Sequence, residues 1–195
     1  VGGGTRGQEA EWQTFDHRGR VRGSLRRRRH IALTKASISN LKIRDVRADD
    51  AGPIIEIFRS SVRNIARQDY THEQVLAWAP DEIDITGWEG YATRRAFIAE
   101  DEKGPAGFAD LEDDGHVQMM YVHPRCQGKG VASALLSHLE SVARSLGVQE
   151  IYTEASITAR LFFERRGFQL VEQQLVSTRG QNFINFRMKK QLPNT

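Results

Sequence analysis

Tyr121-Val122-His123-Pro124-Arg125-Cys126-Gln127-Gly128-Lys129-Gly130-Val131-Ala132-Ser133-Ala134-Leu135-Leu136 is the stretch on which the fold turns. An apolar strand runs into Pro124, which stops it, and a loop with two glycines leads into an apolar stripe. Leu135, Leu136, Leu139 and Val142 recur at helical spacing and predict an amphipathic helix from about Val131 to Ser145. Gly147 is a good C′ residue for it. The first-turn N–H groups of such a helix have no internal acceptors. Together with the positive end of the helix dipole they make a natural phosphate cradle. Gly128 and Gly130 let the backbone approach a ligand without a Cβ in the way, and Ala132 and Ser133 keep the helix start slim. The spacing does not match the nucleotide loop G-x-x-x-x-G-K-[ST]. No G-x-G-x-x-G follows the first strand, which argues against a dinucleotide fold.

Working outward, Leu41, Ile43 and Val46 suggest a first strand, and Asp49-Asp50 offer N-cap chemistry to a helix beyond them. Ile54, Ile57, Phe58, Val62 and Ile65 recur as on a helix face. Thr71 with Gln74 reads as a capping box for a second short helix that Pro80 ends. The Trp88 region shows no clear pattern. Ala96–Ala99, Gly107–Leu111 and Val117–Val122 read as an antiparallel meander turned at Lys103-Gly104-Pro105 and at Gly115. Beyond the central helix come a strand at Val148–Thr153, a helix closed by Gly167, and a final pair, Phe168–Ser177 and Phe183–Met188. The order β-α-α-β-β-β-α-β-α-β-β predicts an α/β fold: a mixed, mostly antiparallel sheet flanked by helices.

Composition agrees with one globular domain of 195 residues, 39% apolar and 27% charged. The net charge of +3 is unevenly spread. Residues 1–40 carry nine Lys/Arg against three acidic residues, so the remainder is mildly acidic. Gly and Arg at that density, including Arg26–Arg29, predict a flexible basic arm over 1–40 or a non-native extension. Residues 41–190 are expected to form the domain, and 191–195 a tail. Arginine runs can bind nucleic acid; with no aromatics interleaved, a solvated tail is the preferred reading. No stretch approaches the roughly 20 apolar residues of a membrane span. No secretory signal is recognisable, so a cytoplasmic location is expected. A single cysteine, Cys126, offers neither an internal disulfide nor a cysteine zinc site, and no metal is expected.

The loop matches Gln127-x-x-Gly130-x-Ala132. In this it resembles the GCN5-related N-acetyltransferase (GNAT) superfamily, whose signature is Q/R-x-x-G-x-G/A. Ala159–Phe168 is similar to that family's later A-x-x-F-Y-E-K-x-G-F segment. Tyr70-Thr71 with Gln74, Ala77-Trp78-Ala79, Glu154–Arg160, Phe162–Phe168, and Arg179-Gly180 with Asn185-Phe186 resemble the YafP-like branch of bacterial GNAT proteins. The resemblance spans about Leu41 to Lys190.

The resemblance implies a GNAT-type sheet and an acetyl-CoA-dependent N-acetyltransferase acting by direct attack of an amine on the thioester. It implies that Gln127, Gly128, Lys129, Gly130, Val131, Ala132 and Ser133 hold the CoA pyrophosphate, with Arg125 adding charge nearby. The edge of Met120, Tyr121 and Val122 would pair with the pantetheine arm, and the backbone N–H near Met120 would face the oxyanion. The strand after the motif helix would splay away to admit the acetyl group. Glu154, ending that strand, is the expected base through water, with His116 and His123 weaker candidates. Phe163 stands at the cofactor, where relatives carry a thiolate-protonating tyrosine. Tyr121, Tyr70 or Ser156 would then serve, or the thiolate would leave unaided, a thiol having a reference pKa of about 8.5. Gln118 stands where close relatives often have an acid. Tyr70, Trp78 and Gln118 are expected to line an acceptor pocket. Cys126 lies on the phosphate side of the loop, away from the reacting carbonyl, which argues against an acyl-cysteine. The expected acceptor is a small-molecule primary amine. The alternatives are a protein lysine or N-terminus, or no catalysis at all in an acyl-CoA-binding module. A homodimer is expected by analogy only.

Overall fold

A computed structural model describes residues 40–193; residues 1–39, which hold all but the last position of the expected arm, and residues 194 and 195 lie outside the described residues. Among the described residues, seven strands and five helices are arranged in chain order. These are β1 (Lys42–Asp45), α1 (Ala51–Asn64), α2 (His72–Trp78), α3 (Thr86–Glu89), β2 (Ala96–Asp101), β3 (Gly104–Asp110) and β4 (Met120–Val122). The second half holds α4 (Val131–Ser145), β5 (Glu150–Ser156), α5 (Ile157–Arg165), β6 (Gln169–Thr178) and β7 (Gln181–Gln191). The patternless Trp88 region is the short helix α3 with a 3₁₀ turn after it at Gly90–Thr93.

The strands form two antiparallel sheets, β1-β2-β3-β4 and β5-β7-β6. They meet at a parallel bridge between His116 and Tyr152. The bridge is closed by Val117 N–H to the Tyr152 carbonyl at 2.8 Å and Tyr152 N–H to the Gly115 carbonyl at 3.1 Å. Gly115 is required there: its φ is +93°, and a Cβ would sit 2.3 Å from the Glu150 carbonyl oxygen. Past the bridge β4 and β5 part, and β4 becomes the free edge of its sheet.

Alternation along β2 sorts the core into two layers. Phe97 and Ala99 pack with Leu135, Leu136 and Leu139 of α4, whereas Ala96 and Ile98 pack with Ile54, Ile57 and Val62 of α1. Each of the three α4 leucines is at most 1% exposed. Full burial of such a side chain stabilises by about 1.5–3 kcal/mol, so α4 is anchored by its stripe. Val142 is only half-buried, and Ala143 takes the last core position instead. Helix α4 also lies close against β3. A Cβ on Gly107 would come within 2.9 Å of both the Tyr121 carbonyl oxygen and Val131 Cγ1.

Several local expectations are corrected. Asp50 caps α1 by position, but its side chain makes no cap hydrogen bond. Its carboxylate accepts instead from Arg47 N–H at 2.7 Å and from the Arg44 guanidinium at 2.6 Å, which holds Asp50 below the usual carboxylate range. Strand β4 begins at Met120, not Val117, because Met119 N–H is captured by the Asp110 carboxylate at 2.7 Å and Val117 pairs across the bridge. Strand β5 runs from Glu150 to Ser156, two residues later than its pattern indicates at the start. Strand β7 continues to Gln191, and Leu192 is buried with its N–H on the Gln149 carbonyl.

Candidate active site

The phosphate-type loop has the conformation its glycines allow. A 3₁₀ turn, Pro124–Cys126, precedes Gly128 at φ +73° and Gly130 at φ +93°, and α4 starts at Val131. Nothing lies within 4 Å of a Cβ built on either glycine. Glycine is needed here for the left-handed backbone, which costs an L side chain about 1–2 kcal/mol, rather than for space within the protein. Gly130 provides no side-chain cap. Among the described residues, the N–H groups of Gly128, Gly130, Val131, Ala132 and Ser133 have no acceptor; the first satisfied amide of the helix is Ala134, on the Gly130 carbonyl at 3.0 Å. Five unpaired donors at a helix mouth form an anion site by both hydrogen bonding and dipole.

Two basic residues near this loop trade places relative to expectation. Arg125 is turned away: its guanidinium binds Asp101 at 2.6 Å and the Gly104 and Pro105 carbonyls at 2.8 and 2.7 Å. Arg166, at the end of α5, instead reaches the mouth and donates to Ser133 Oγ. It reaches across 33 residues of sequence, which the local pattern does not reveal. Cys126 is buried and faces Asp101, and burial pushes its thiol upward; the loop carries no nucleophile toward the site.

The free edge of β4 adjoins this loop. Tyr121 is in register with Phe108, His123 N–H bonds the Ala106 carbonyl at 2.9 Å, and Asp110 N–H bonds the Met119 carbonyl at 3.0 Å. Antiparallel alternation therefore turns the polar backbone groups of Met120 and Val122 the other way, into the gap before β5. An extended ligand can add there as a strand would.

The gap opens into a cavity of about 310 Å³ lined from α1, α2, β4, β5, α5, β6 and β7. Met120, Tyr121, Glu154, Ser156 and Phe163 border it, as do Tyr70, Trp78 and Gln118. The predicted catalytic and acceptor residues are thus brought together. Their side chains are differently placed to act. Tyr121 packs edge-on to Phe58 and stacks on Phe108 with centroids 5.6 Å apart, and burial raises its pKa strongly. Tyr70 is also raised by burial; its hydroxyl donates to the Ile184 carbonyl at 3.3 Å and accepts from Ile157 N–H at 2.9 Å. Ser156 Oγ caps α5 by accepting from Ala159 N–H at 3.1 Å. Gln118 Oε1 is held by Arg94. Phe163 is 3% exposed and packs on Phe168. Trp78 closes the far wall edge-on to Tyr70 at 5.3 Å.

Glu154 presents Oε2 to His116 Nε2 at 2.7 Å, and His116 Nδ1 meets Glu112 at 3.0 Å. The imidazole lies flat on Tyr152, with ring centroids 4.7 Å apart. His116 is thus more than a solvated turn residue. Burial opposes its charge, but the two carboxylates outweigh burial and raise its pKa. Its link to Glu154 spans 38 residues of sequence, and only the sheet junction makes it. His123, by contrast, accepts from Arg125 N–H at 3.1 Å and is structural to the loop.

Comparison with known proteins places this geometry. Residues 66–191 match the acetyltransferase (GNAT) domain family. The uncharacterized N-acetyltransferase YafP of Escherichia coli K12 is 37% identical over 153 residues, covering 78% of this chain and 97% of that protein. The GCN5-related N-acetyltransferase structure from Rhodopseudomonas palustris is 31% identical with a TM-score of 0.76, covering 80% of this chain and 98% of that one. The fold is shared as well by the PaiA N-acetyltransferase of Thermoplasma acidophilum, solved in complex with coenzyme A (17% identity, TM-score 0.65, 78% and 99% covered). It is shared again by YncA of Salmonella typhimurium, solved with acetyl-CoA (23% identity, TM-score 0.60, 80% and 96% covered). The chain belongs to the GNAT family of N-acetyltransferases, in its YafP-like branch.

Proposed function

We propose that the protein transfers the acetyl group of acetyl-CoA to the primary amine of a small molecule by direct attack. The observation that carries this reading is the run of five unpaired amides from Gly128 to Ser133, continuous with the open edge of β4. The amides, with Lys129 and Gln127 in the same loop, hold the pyrophosphate. Met120 and Val122 bind the pantetheine as an added strand, and the thioester enters the gap beside Phe163. The Met120 N–H, already aimed into the gap, stabilises the oxyanion.

On the acceptor side Glu154 removes a proton from the ammonium, directly or through one water. The freed nitrogen lone pair attacks the thioester carbonyl, the C–S bond breaks, and CoA leaves as thiolate. Phe163 has no proton to give, and Tyr70 and Tyr121 are raised by burial, with the Tyr70 hydroxyl engaged on both sides. The thiolate therefore takes the second proton of the attacking nitrogen or leaves unaided. The aromatic far wall supports a small acceptor over a protein chain.

The test is acetyl-CoA binding by calorimetry together with amine-dependent CoA release. Gly130→Asp sets a carboxylate against the pyrophosphate and is expected to abolish binding. Glu154→Gln is expected to bind normally but lose about 10²-fold or more in kcat, most severely at low pH where free amine is scarce. Unaltered affinity in the first variant would contradict the cofactor placement. A wild-type pH–rate profile in the second would remove Glu154 from the mechanism.

A further inference from the structure

The acceptor cavity is selective by charge. Of all the residues that line it, Glu154 is the only charged one; among the described residues no lysine, arginine or histidine borders it. A carboxylate on the acceptor would meet no cation on the wall itself, because Arg94 is engaged by Gln118 and His116 by Glu154 and Glu112, and beside Glu154 both desolvation and repulsion oppose it.

The polar groups of the wall sharpen this. Most are already engaged within the protein: Thr153 Oγ1 donates to the Val117 carbonyl at 2.8 Å and Thr158 Oγ1 to Asp69 at 2.6 Å. Tyr70, Ser156 and Gln118 are committed to Ile184 and Ile157, to Ala159, and to Arg94 respectively. Two of the wall's acceptors that have no partner among the described residues bear on the acceptor. One is Glu154 Oε1, the oxygen not bonded to His116. The other is Asn185 Oδ1, which is shut off from solvent and unsatisfied. A buried amide oxygen left in that state costs about 1–3 kcal/mol. Asn185 lines the cavity while its oxygen is turned away from solvent; the final torsion of asparagine is broad, and a turn of the amide is what engaging an occupant requires. Asn185 stands opposite Ser156 in the β5–β7 register and Glu154 two residues earlier on β5, so both border one end of the cavity. Beside them stand Trp78, Tyr70 and Phe183, three rings in mutual contact with centroids 5.3 to 6.1 Å apart.

We infer that the acceptor is a cationic amine on an apolar or aromatic skeleton with no carboxylate, its nitrogen held between Glu154 and Asn185 and its body against Trp78 and Phe183. This names the acceptor class of the proposed acetyl transfer and rests on that reading. Asn185 is here a specificity residue, supplying the second hydrogen-bond acceptor for the ammonium.

Matched acceptors that differ only in the carboxylate decide the matter: 2-phenylethylamine against phenylalanine, and tryptamine against tryptophan, with CoA release as the readout. The amines are expected to exceed the amino acids at least tenfold in kcat/KM. Asn185→Leu, close to isosteric, is expected to raise KM for 2-phenylethylamine about tenfold and leave KM for acetyl-CoA unchanged, with Asn185→Asp restoring it. Val176→Arg adds a cation at a lining position that is 36% exposed, where the fold tolerates it, and is expected to narrow or reverse the preference. Amino acids used as well as their amines, or an unchanged amine KM in Asn185→Leu, would overturn the assignment while leaving acetyl transfer itself intact. CoA release with no member of either pair, in protein that binds acetyl-CoA, would overturn the acceptor class and the small-amine reading together.

Discussion

His116 lies with Nε2 2.7 Å from Glu154 and Nδ1 3.0 Å from Glu112, in a setting where burial alone would lower its pKa. The groups around it are mixed. Asp114 is occupied by the Tyr152 hydroxyl at 2.5 Å, Tyr152 covers one imidazole face, and Arg187 of β7 stacks on Tyr152 with its guanidinium 5.6 Å from that ring. The two bonded carboxylates win, and the folded protein holds the imidazolium proton more tightly than the unfolded chain, whose histidine titrates near ~6.5. A folded pKa above the unfolded one gives stability that is fully present below ~6.5, down to the range where the carboxylates protonate, and lost as pH rises through the folded value. The difference in Tm between wild type and His116→Gln should therefore be largest near pH 6 and narrow toward pH 9. Thermal scans across that range check it, and a constant difference would show that the clamp does not titrate. Residue identity alone did not disclose this clamp: Glu112 and His116 are neighbours in a turn, but Glu154 arrives from another strand.

At the scale of elements, α4 was legible down to its ends, because a three-leucine stripe with Gly147 just beyond it leaves one helix to draw. The β4 strand was legible only in its second half. Val117, Gln118 and Met119 alternate as a strand would, yet Asp110 takes the Met119 N–H and Tyr152 takes Val117, and both acceptors are side chain or backbone from elsewhere. The shortening has a chemical consequence, since a β4 of only Met120–Val122 has no strand on its outer edge and leaves its groups for a ligand. The close seat of α4 on the sheet depends on Gly107 of β3, the strand beside β4. Gly107→Ala forces a Cβ to 2.9 Å from Val131 Cγ1 and 3.2 Å from Leu135 Cδ1, with the Tyr121 carbonyl unable to yield. Overpacking of this kind costs about 1–3 kcal/mol, and it displaces the helix mouth from the strand edge by a few tenths of an ångström or more. The expected outcome is a lower denaturation midpoint accompanied by a raised KM for acetyl-CoA. A loss of stability with cofactor KM unchanged would show that the mouth and the edge are not held in register by this contact.

Across the whole molecule, the site exists because two sheets that share a bridge at His116 and Tyr152 then separate. The cofactor half of this could be read from the sequence, since strand, loop and helix are contiguous from Met120 to Ser145. The acceptor half draws on α1, α2, β5, α5, β6 and β7, and no local pattern carries a wall assembled from six elements. What sets the width of the opening is a small set of contacts at its root. One is the Thr153 hydroxyl, 5% exposed, which crosses from β5 to donate to the Val117 carbonyl at 2.8 Å just where the sheets divide. Val117 is itself 1% exposed, so water cannot readily replace that donor. Thr153→Val keeps the shape and β-branching but deprives the buried carbonyl of its hydrogen bond, at a cost of about 1–3 kcal/mol. Thr153→Ser keeps the hydroxyl and loses a methyl group. If the crossing bond governs the separation, Thr153→Val should lower both the urea midpoint and kcat, by loosening Glu154 one residue away from the anchor. Thr153→Ser should keep most of kcat despite a smaller core. Equal losses of kcat in the two variants would assign the effect to packing at the root of the gap rather than to the bond that spans it.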